Sequence, residues 1–210
     1  GHVGPDLGFV EATIALHTVF DAPEDQIVFD VSHQTYPHKM LTGRKEAYMD
    51  PEHYDDVGPY TDPKESPYDL YSIGHTSTSV DLAIGMAKAR DILGGKEHVV
   101  GIIGDGSLSG GMALEGLNVA GEMESPLILV LNDNNQSIAE NHGGMYKKLT
   151  ELRETNGEAK DNIFRGMGLE YLYEGNGNDV ESLVQIFEKA KSYKRPVLVH
   201  IFTRKGMGLP

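Results

Sequence analysis

Two short stretches of this 210-residue chain hold residue types that could do chemistry together. In GDGSLSGG, from Gly104 to Gly111, a carboxylate, Asp105, sits between two glycines where an apolar run stops. In NDNN, from Asn132 to Asn135, the amide of Asn134 closes a second apolar run. A hard cation such as Mg2+ takes about six oxygen ligands and usually draws only one or two carboxylates from protein, with phosphate oxygens and water completing the shell. Asp105 with the amide oxygen of Asn134 meets that need, because a neutral second ligand does not compete with a highly charged diphosphate for the ion. Backbone amides at Gly106 and Ser107 would face the same phosphates, and a helix after Gly111 would add its positive end. Alone, each glycine could mark a tight turn and Asp105 a helix cap. The pair at crossover spacing points instead to a metal-diphosphate site. A nucleotide fingerprint fits less well, since GDGSLSGG has neither Gly-x-Gly-x-x-Gly spacing nor a P-loop lysine.

The elements that must carry these motifs are legible from hydrophobic pattern. EHVVGIIG (Glu97 to Gly104) and PLILVLND (Pro126 to Asp133) are apolar on successive residues, as strands covered on both faces are. QIVFDV (Gln26 to Val31) and RPVLVHIF (Arg195 to Phe202) read as further strands, with EYLY (Glu170 to Tyr173) a weaker one. Helices are expected at Leu7 to Phe20, Val80 to Leu93, Met112 to Met123, Met145 to Glu154 and Asp179 to Ser192, the last capped by Asp179. This alternation predicts one α/β domain over residues 1–210, a doubly wound, mostly parallel sheet with helices on both faces. In such sheets ligands lie beyond the carboxyl ends of the strands, so the two motifs face each other if their strands are neighbours. The stretch from Gln34 to Ser72 has little periodicity and reads as a functional or disordered loop.

Composition narrows the class. A formal charge of −14 argues against a nucleic-acid surface, so an anionic ligand has to be gripped locally. With no cysteine there is neither disulfide nor thiolate zinc, which fits a reducing compartment. No apolar run approaches the ~20 residues that span a bilayer, and the default expectation is cytoplasmic, without a membrane partner. The opening GHVGPDLG has no initiator methionine, which suggests a processed product or a piece of a longer protein.

The Gly-Asp-Gly and Asn-Asp-Asn pair resembles the signature of thiamine diphosphate enzymes of the transketolase group, and within it the 1-deoxy-D-xylulose-5-phosphate synthases. GHVGPDLGFVEATIALH, FDVSHQTYPHKMLTGR, GHTSTS, GDGSLSGGMALEGLN and LNDNNQSIAEN carry the resemblance in the family's order. It implies a thiamine diphosphate-binding fold with Mg2+ on Asp105, Asn134 and the main-chain carbonyl of Gln136. The diphosphate would meet Gly106, Ser107, Asn134 and the turn residues Gly74, His75 and Thr76. His33 and Lys205 match positions beside the cofactor, and His2 matches one near the reacting carbon, so His2 and His33 are the implied catalytic residues. The implied reaction condenses pyruvate with glyceraldehyde 3-phosphate and loses carbon dioxide, serving isoprenoid and thiamine biosynthesis; the cofactor is the electron sink and imidazoles suit the proton transfers.

The resemblance also implies a homodimer, and pyrimidine-binding and C-terminal domains that this chain lacks, so residues 1–210 alone are expected to be inactive. The family commonly has glycine at Ser32, Glu-Met at Asn135 and Gln136, serine at Ala139 and tyrosine at Leu209, and a longer stretch between Asn141 and Gly168. These departures suggest a divergent branch. His17, His53, His98 and His142 read as structural or surface residues, while His38 and His200 stay open. Lys39 and Arg44 read equally well as a solvated basic pair. Two other functions remain: a transketolase-like subunit completed by a second chain, and a non-catalytic module that keeps the fold.

Overall fold

Five apolar runs pair into one all-parallel sheet at the centre of the computed structural model, which describes residues 3–136 and 141–209. The strands are β1 (Gln26–Phe29), β2 (Val99–Gly104), β3 (Ile128–Asp133), β4 (Glu170–Glu174) and β5 (Val197–Phe202), in the order β1-β2-β3-β5-β4. The expected doubly wound sheet is therefore present. β4, with the weakest pattern, is an edge strand. The adjacency that matters most is β2 with β3, where Gly104 lies opposite Asn132.

Successive residues are apolar because each strand is covered twice. Ile128 and Val130 pack with Phe9, Leu16 and Phe187 on one face, whereas Leu129 and Leu131 pack with Val80, Ala83 and Leu117 on the other. The first face carries helix α2 (Val10–Val19), which follows the short α1 (Val3–Gly8). Next come three short helices, α3 (Tyr36–Lys39) and α4 (Glu46–Met49) before the sheet's second strand and α6 (Asp105–Leu108) after it. The second face carries α5 (Ser79–Leu93), α7 (Gly111–Glu122) and α8 (Gly144–Glu154), beside the single turn α9 (Ile163–Gly166). The last helix, α10 (Val180–Lys191), lies with α2. This division follows from chain direction: β1, β2 and β3 advance across the sheet, but β4 to β5 steps back. Crossovers of one hand then place the returning helix on the opposite face.

Two expectations need correction. The single helix over Leu7 to Phe20 is broken at Phe9 (φ −121, ψ 11) into α1 and α2. The break lets the C-terminal segment pack on α1: a Cβ at Gly8 would stand 3.0 Å from the Arg204 carbonyl oxygen, and the Gly206 amide donates to the Gly4 carbonyl at 2.9 Å. The second correction concerns Lys39 and Arg44, which are not a solvated pair. The Lys39 side chain is 0% exposed and donates to the carbonyls of Gly58 and Tyr60 and to Glu65 at 2.9, 2.6 and 2.7 Å. Arg44 forks onto both oxygens of Asp69 at 2.7 and 2.8 Å.

Those charges organise the aperiodic Gln34–Ser72 stretch, which folds through α3, a π turn at Met40–Arg44, α4 and a 3-10 turn at Pro51–His53. Buried His38 extends the network, its Nε2 3.1 Å from Asp69 and its Nδ1 2.9 Å from His17 Nε2. An ionised Asp69 only accepts, so His38 donates from Nε2, and neutral His38 accepts at Nδ1 from His17. Burial would raise the Asp69 carboxyl, but the bonds from His38 and Arg44 hold it well below the usual range. Burial, then the neighbouring His38, lowers His17 to about 4. The π turn and charge pairs replace the apolar face that the stretch lacks. No helix among the described residues is long and apolar enough to cross a membrane.

Candidate functional site

At the carboxyl ends of β1, β2 and β3 lies a cavity of about 100 Å³. It gathers His33, Asp105, Gly106, Ser107, Asn134, Gln136 and Lys205, seven of the residues singled out from sequence, together with Asp30 and Pro5. The placements have local causes. Asp105 begins α6 directly where β2 ends, and Asn134 follows the last residue of β3, so the Gly104–Asn132 register brings both to one edge. Lys205 arrives on the segment that docks against α1. His33 is turned in by two successive left-handed residues, Val31 (φ 57) and Ser32 (φ 65).

Left-handed backbone at a β-branched residue costs free energy and persists only where its surroundings hold it. Here the turn is tied at several points. The Ser32 hydroxyl donates to the Ile73 carbonyl at 3.0 Å and accepts from the Thr61 amide at 2.9 Å, and Thr35 Oγ1 donates to the Ser32 carbonyl at 2.7 Å. These bonds fasten the charged 34–72 stretch to the end of β1. They also hold serine in a conformation that favours glycine, its hydroxyl offsetting the strain that its Cβ creates.

Asp105 is 2% exposed, and burial, then the Asp133 carboxylate, push its carboxyl above the usual range. Asp133 is fully buried; burial would raise it too, but His200 Nε2 at 2.9 Å and Arg153 Nη1 at 2.6 Å hold it low. His200 is fixed in turn by the Tyr171 hydroxyl, 2.8 Å from Nδ1. Arg153, on α8, also reaches the Asn135 amide oxygen at 3.0 Å and lies over the Phe202 ring at 5.5 Å. The two acids thus differ: His200 and Arg153 hold Asp133 low, whereas burial and the neighbouring Asp133 disfavour charge on Asp105. Asn141 Nδ2 donates to Asp105 Oδ2 at 2.8 Å. Asn134 Oδ1 accepts from the Gln136 amide at 3.1 Å and keeps a second lone pair.

A carboxylate and an amide oxygen lining one polar cavity are donor types that a small hard cation takes. Among the described residues no three His, Cys, Asp or Glu side chains cluster as metal ligands. An ion completed by phosphate oxygens and water does not require such a cluster.

Gly74, His75 and Thr76 do not join this cavity. They are exposed, and Gly74 and His75 line a second, apolar cavity of about 430 Å³ with Tyr71, Leu82 and Met112. Between the cavities stands Asp30, whose carboxylate accepts from the amides of Ser77, Thr78 and Ser79 at 2.8, 2.8 and 2.9 Å. Sequence reasoning did not single out Asp30, although its place in FDVSHQ at a strand end was a usable signal. At the start of the helix after Gly111, the Ala113 amide donates to Ser77 Oγ of the GHTSTS turn at 3.0 Å. His2 and Ala139 lie outside the described residues.

Against known proteins, the chain matches the family described as 1-deoxy-D-xylulose-5-phosphate synthase over residues 1–161 and 154–203. It is 41% identical over 244 aligned positions to the 1-deoxy-D-xylulose-5-phosphate synthase of Desulfitobacterium hafniense, covering 99% of this chain and 39% of that protein. The Myxococcus xanthus protein of the same name is 44% identical over 210 positions, covering 100% of this chain and 35% of its own length. The first alignment is longer than the chain, and the family match restarts within residues 154–161, inside the stretch expected to be short. Among solved structures, a transketolase variant from Pichia stipitis superposes with a TM-score of 0.76 at 20% identity, over 99% of this chain and 33% of that one. Transketolase from Leishmania mexicana gives 0.71 at 19%, over 99% and 34%. These likenesses concern the fold.

Proposed function

Because this chain belongs to the 1-deoxy-D-xylulose-5-phosphate synthase family, we propose that residues 1–210 form the part of such an enzyme that anchors thiamine diphosphate through Mg2+. In that reading the enzyme condenses pyruvate with glyceraldehyde 3-phosphate to 1-deoxy-D-xylulose 5-phosphate and releases carbon dioxide. The observation that carries it is the meeting of Asp105 and Asn134 at adjacent strand ends in one cavity. When bound, the cofactor supplies the electron sink for decarboxylation and carbon-carbon bond formation.

The chain's own residues do the holding. Asp105, the Asn134 amide oxygen and the Gln136 carbonyl would be the three protein ligands for the ion, with Asp105 supplying the one negative charge. Gly106 and Ser107 line the cavity where their amides would face diphosphate oxygens, and Lys205 adds a cation there. His33, turned into the cavity by the strained residues before it, is the described imidazole placed to move protons. These local donors let a protein of net charge −14 hold an anion.

Calorimetric titration with Mg2+ and thiamine diphosphate tests the reading, using the protein as encoded with whatever adjoins residues 1–210. Asp105→Ala is expected to abolish cation-dependent binding, and a variant that binds as tightly as the parent would refute the site. A coupled assay of pyruvate against ketose donors separates this reaction from a transketolase-like one.

A further inference from the structure

We infer that Asn141 is the positioning residue of the cation site, holding Oδ2 of Asp105 by its side-chain amide so that the other carboxylate oxygen is the ligand. This rests on the reading of Asp105 as a metal ligand. The motif comparison gave Asn141 no role. Its geometry does, with Nδ2 2.8 Å from Oδ2 of a carboxylate that is 2% exposed.

A carboxylate can meet a cation with one oxygen or two. Mg2+ demands near-ideal octahedral angles and dehydrates reluctantly, which favours one oxygen per carboxylate. A donor fixed on Oδ2 enforces that choice. The donor must also be neutral, since an arginine or lysine would satisfy the charge that the cation needs. The neighbouring acid shows the contrast: Arg153 is committed to Asp133 at 2.6 Å and to Asn135 at 3.0 Å, and Asp105 receives an amide instead. Ligating carboxylates are generally held this way, and losing the outer partner typically costs 10- to 100-fold in metal affinity.

Chain path strengthens the assignment. The loop leaving β3 presents Asn134 and Gln136 to the cavity, and the described chain resumes at Asn141 on Asp105. One connection therefore supplies two of the ligands and orients the third.

The test is Mn2+ binding followed by electron paramagnetic resonance of the free ion, on the protein as encoded, with and without thiamine diphosphate. Asn141→Ala should weaken Mn2+ binding 10- to 100-fold while the metal-free melting temperature stays that of the parent, and Asn141→Gln, which keeps the donor, should recover part of the affinity. If Asp105→Ala loses Mn2+ but Asn141→Ala binds like the parent, Asn141 has no positioning role and only this inference falls. Loss of affinity in Asn141→Ala that comes with an equally lowered metal-free melting temperature, unrescued by glutamine, would also overturn it. A parent protein that binds no Mn2+ would sink the metal-site reading and this inference together.

Discussion

At the scale of single residues, the site joins strain to compensation. Ser32 is fully buried in left-handed backbone, and its hydroxyl bridges Ile73 and Thr61. Replacing it separates the two effects. Ser32→Gly removes a Cβ penalty of roughly 1–2 kcal/mol but loses two buried hydrogen bonds worth about 2–4 kcal/mol, so a net loss of about 1–2 kcal/mol is expected. Ser32→Ala keeps the strain and strands both backbone partners, and should cost about 2–4 kcal/mol. Denaturant melts of the three proteins check the order parent, glycine, alanine; a glycine variant more stable than the parent would mean the hydroxyl does not offset the strain. Ser32 was readable as a departure from the family's glycine. Its two partners, 29 and 41 residues away, were not, because no local pattern encodes them.

At the scale of elements, the sheet and the 34–72 stretch are held by different forces, and they should respond differently to acid. The sheet's two cores are apolar, and its buried acids Asp105 and Asp133 are confined to strand ends. The stretch depends on Asp69, His38 and a neutral His17, whose folded pKa of about 4 lies below the ordinary 6.5. The unfolded chain therefore takes up His17's proton first as pH falls. Stability from this group is complete above pH 6.5 and is lost as pH drops towards 4. Asp69, also depressed, adds to the loss below its ordinary value of 3.8. His17→Gln keeps a donor for His38 without titrating. It should flatten the fall in stability between pH 6.5 and 4 by on the order of 1–2 kcal/mol, reduced by partial exposure of His17. Thermal melts across that range decide it, and an unchanged slope would clear His17 of the effect.

At the scale of the whole molecule, the cavity is too small for its proposed guest. Sites for drug-sized ligands measure about 300–1,000 Å³, whereas this one has about 100 Å³, room for a cation and phosphate head group. The chain spans 39% and 35% of the two relatives named above. A thiamine-sized molecule anchored in this cavity would extend beyond it. Residues 1–210 alone are expected to give no pyruvate decarboxylation with Mg2+ and thiamine diphosphate, read by carbon dioxide release. Turnover by that polypeptide would show the site to be self-sufficient.

By itself the sequence determined the strands, their burial on both faces and the meeting of Asp105 with Asn134 at adjacent strand ends, because hydrophobic period and strand-end glycines are local signals. The cap of Asp179 on α10 belongs there too, its carboxylate accepting from the Ser182 amide at 2.8 Å. Only the tertiary structure decided that Asp30 caps α5, that Lys39 and Arg44 are buried ion partners, that α1 and α2 part to admit the C-terminal segment, and that Asn141 steadies Asp105. Each of these joins residues distant in the chain through charge or a single hydrogen bond. Such contacts leave no periodic trace, and they exist only once the sheet has brought its edges together.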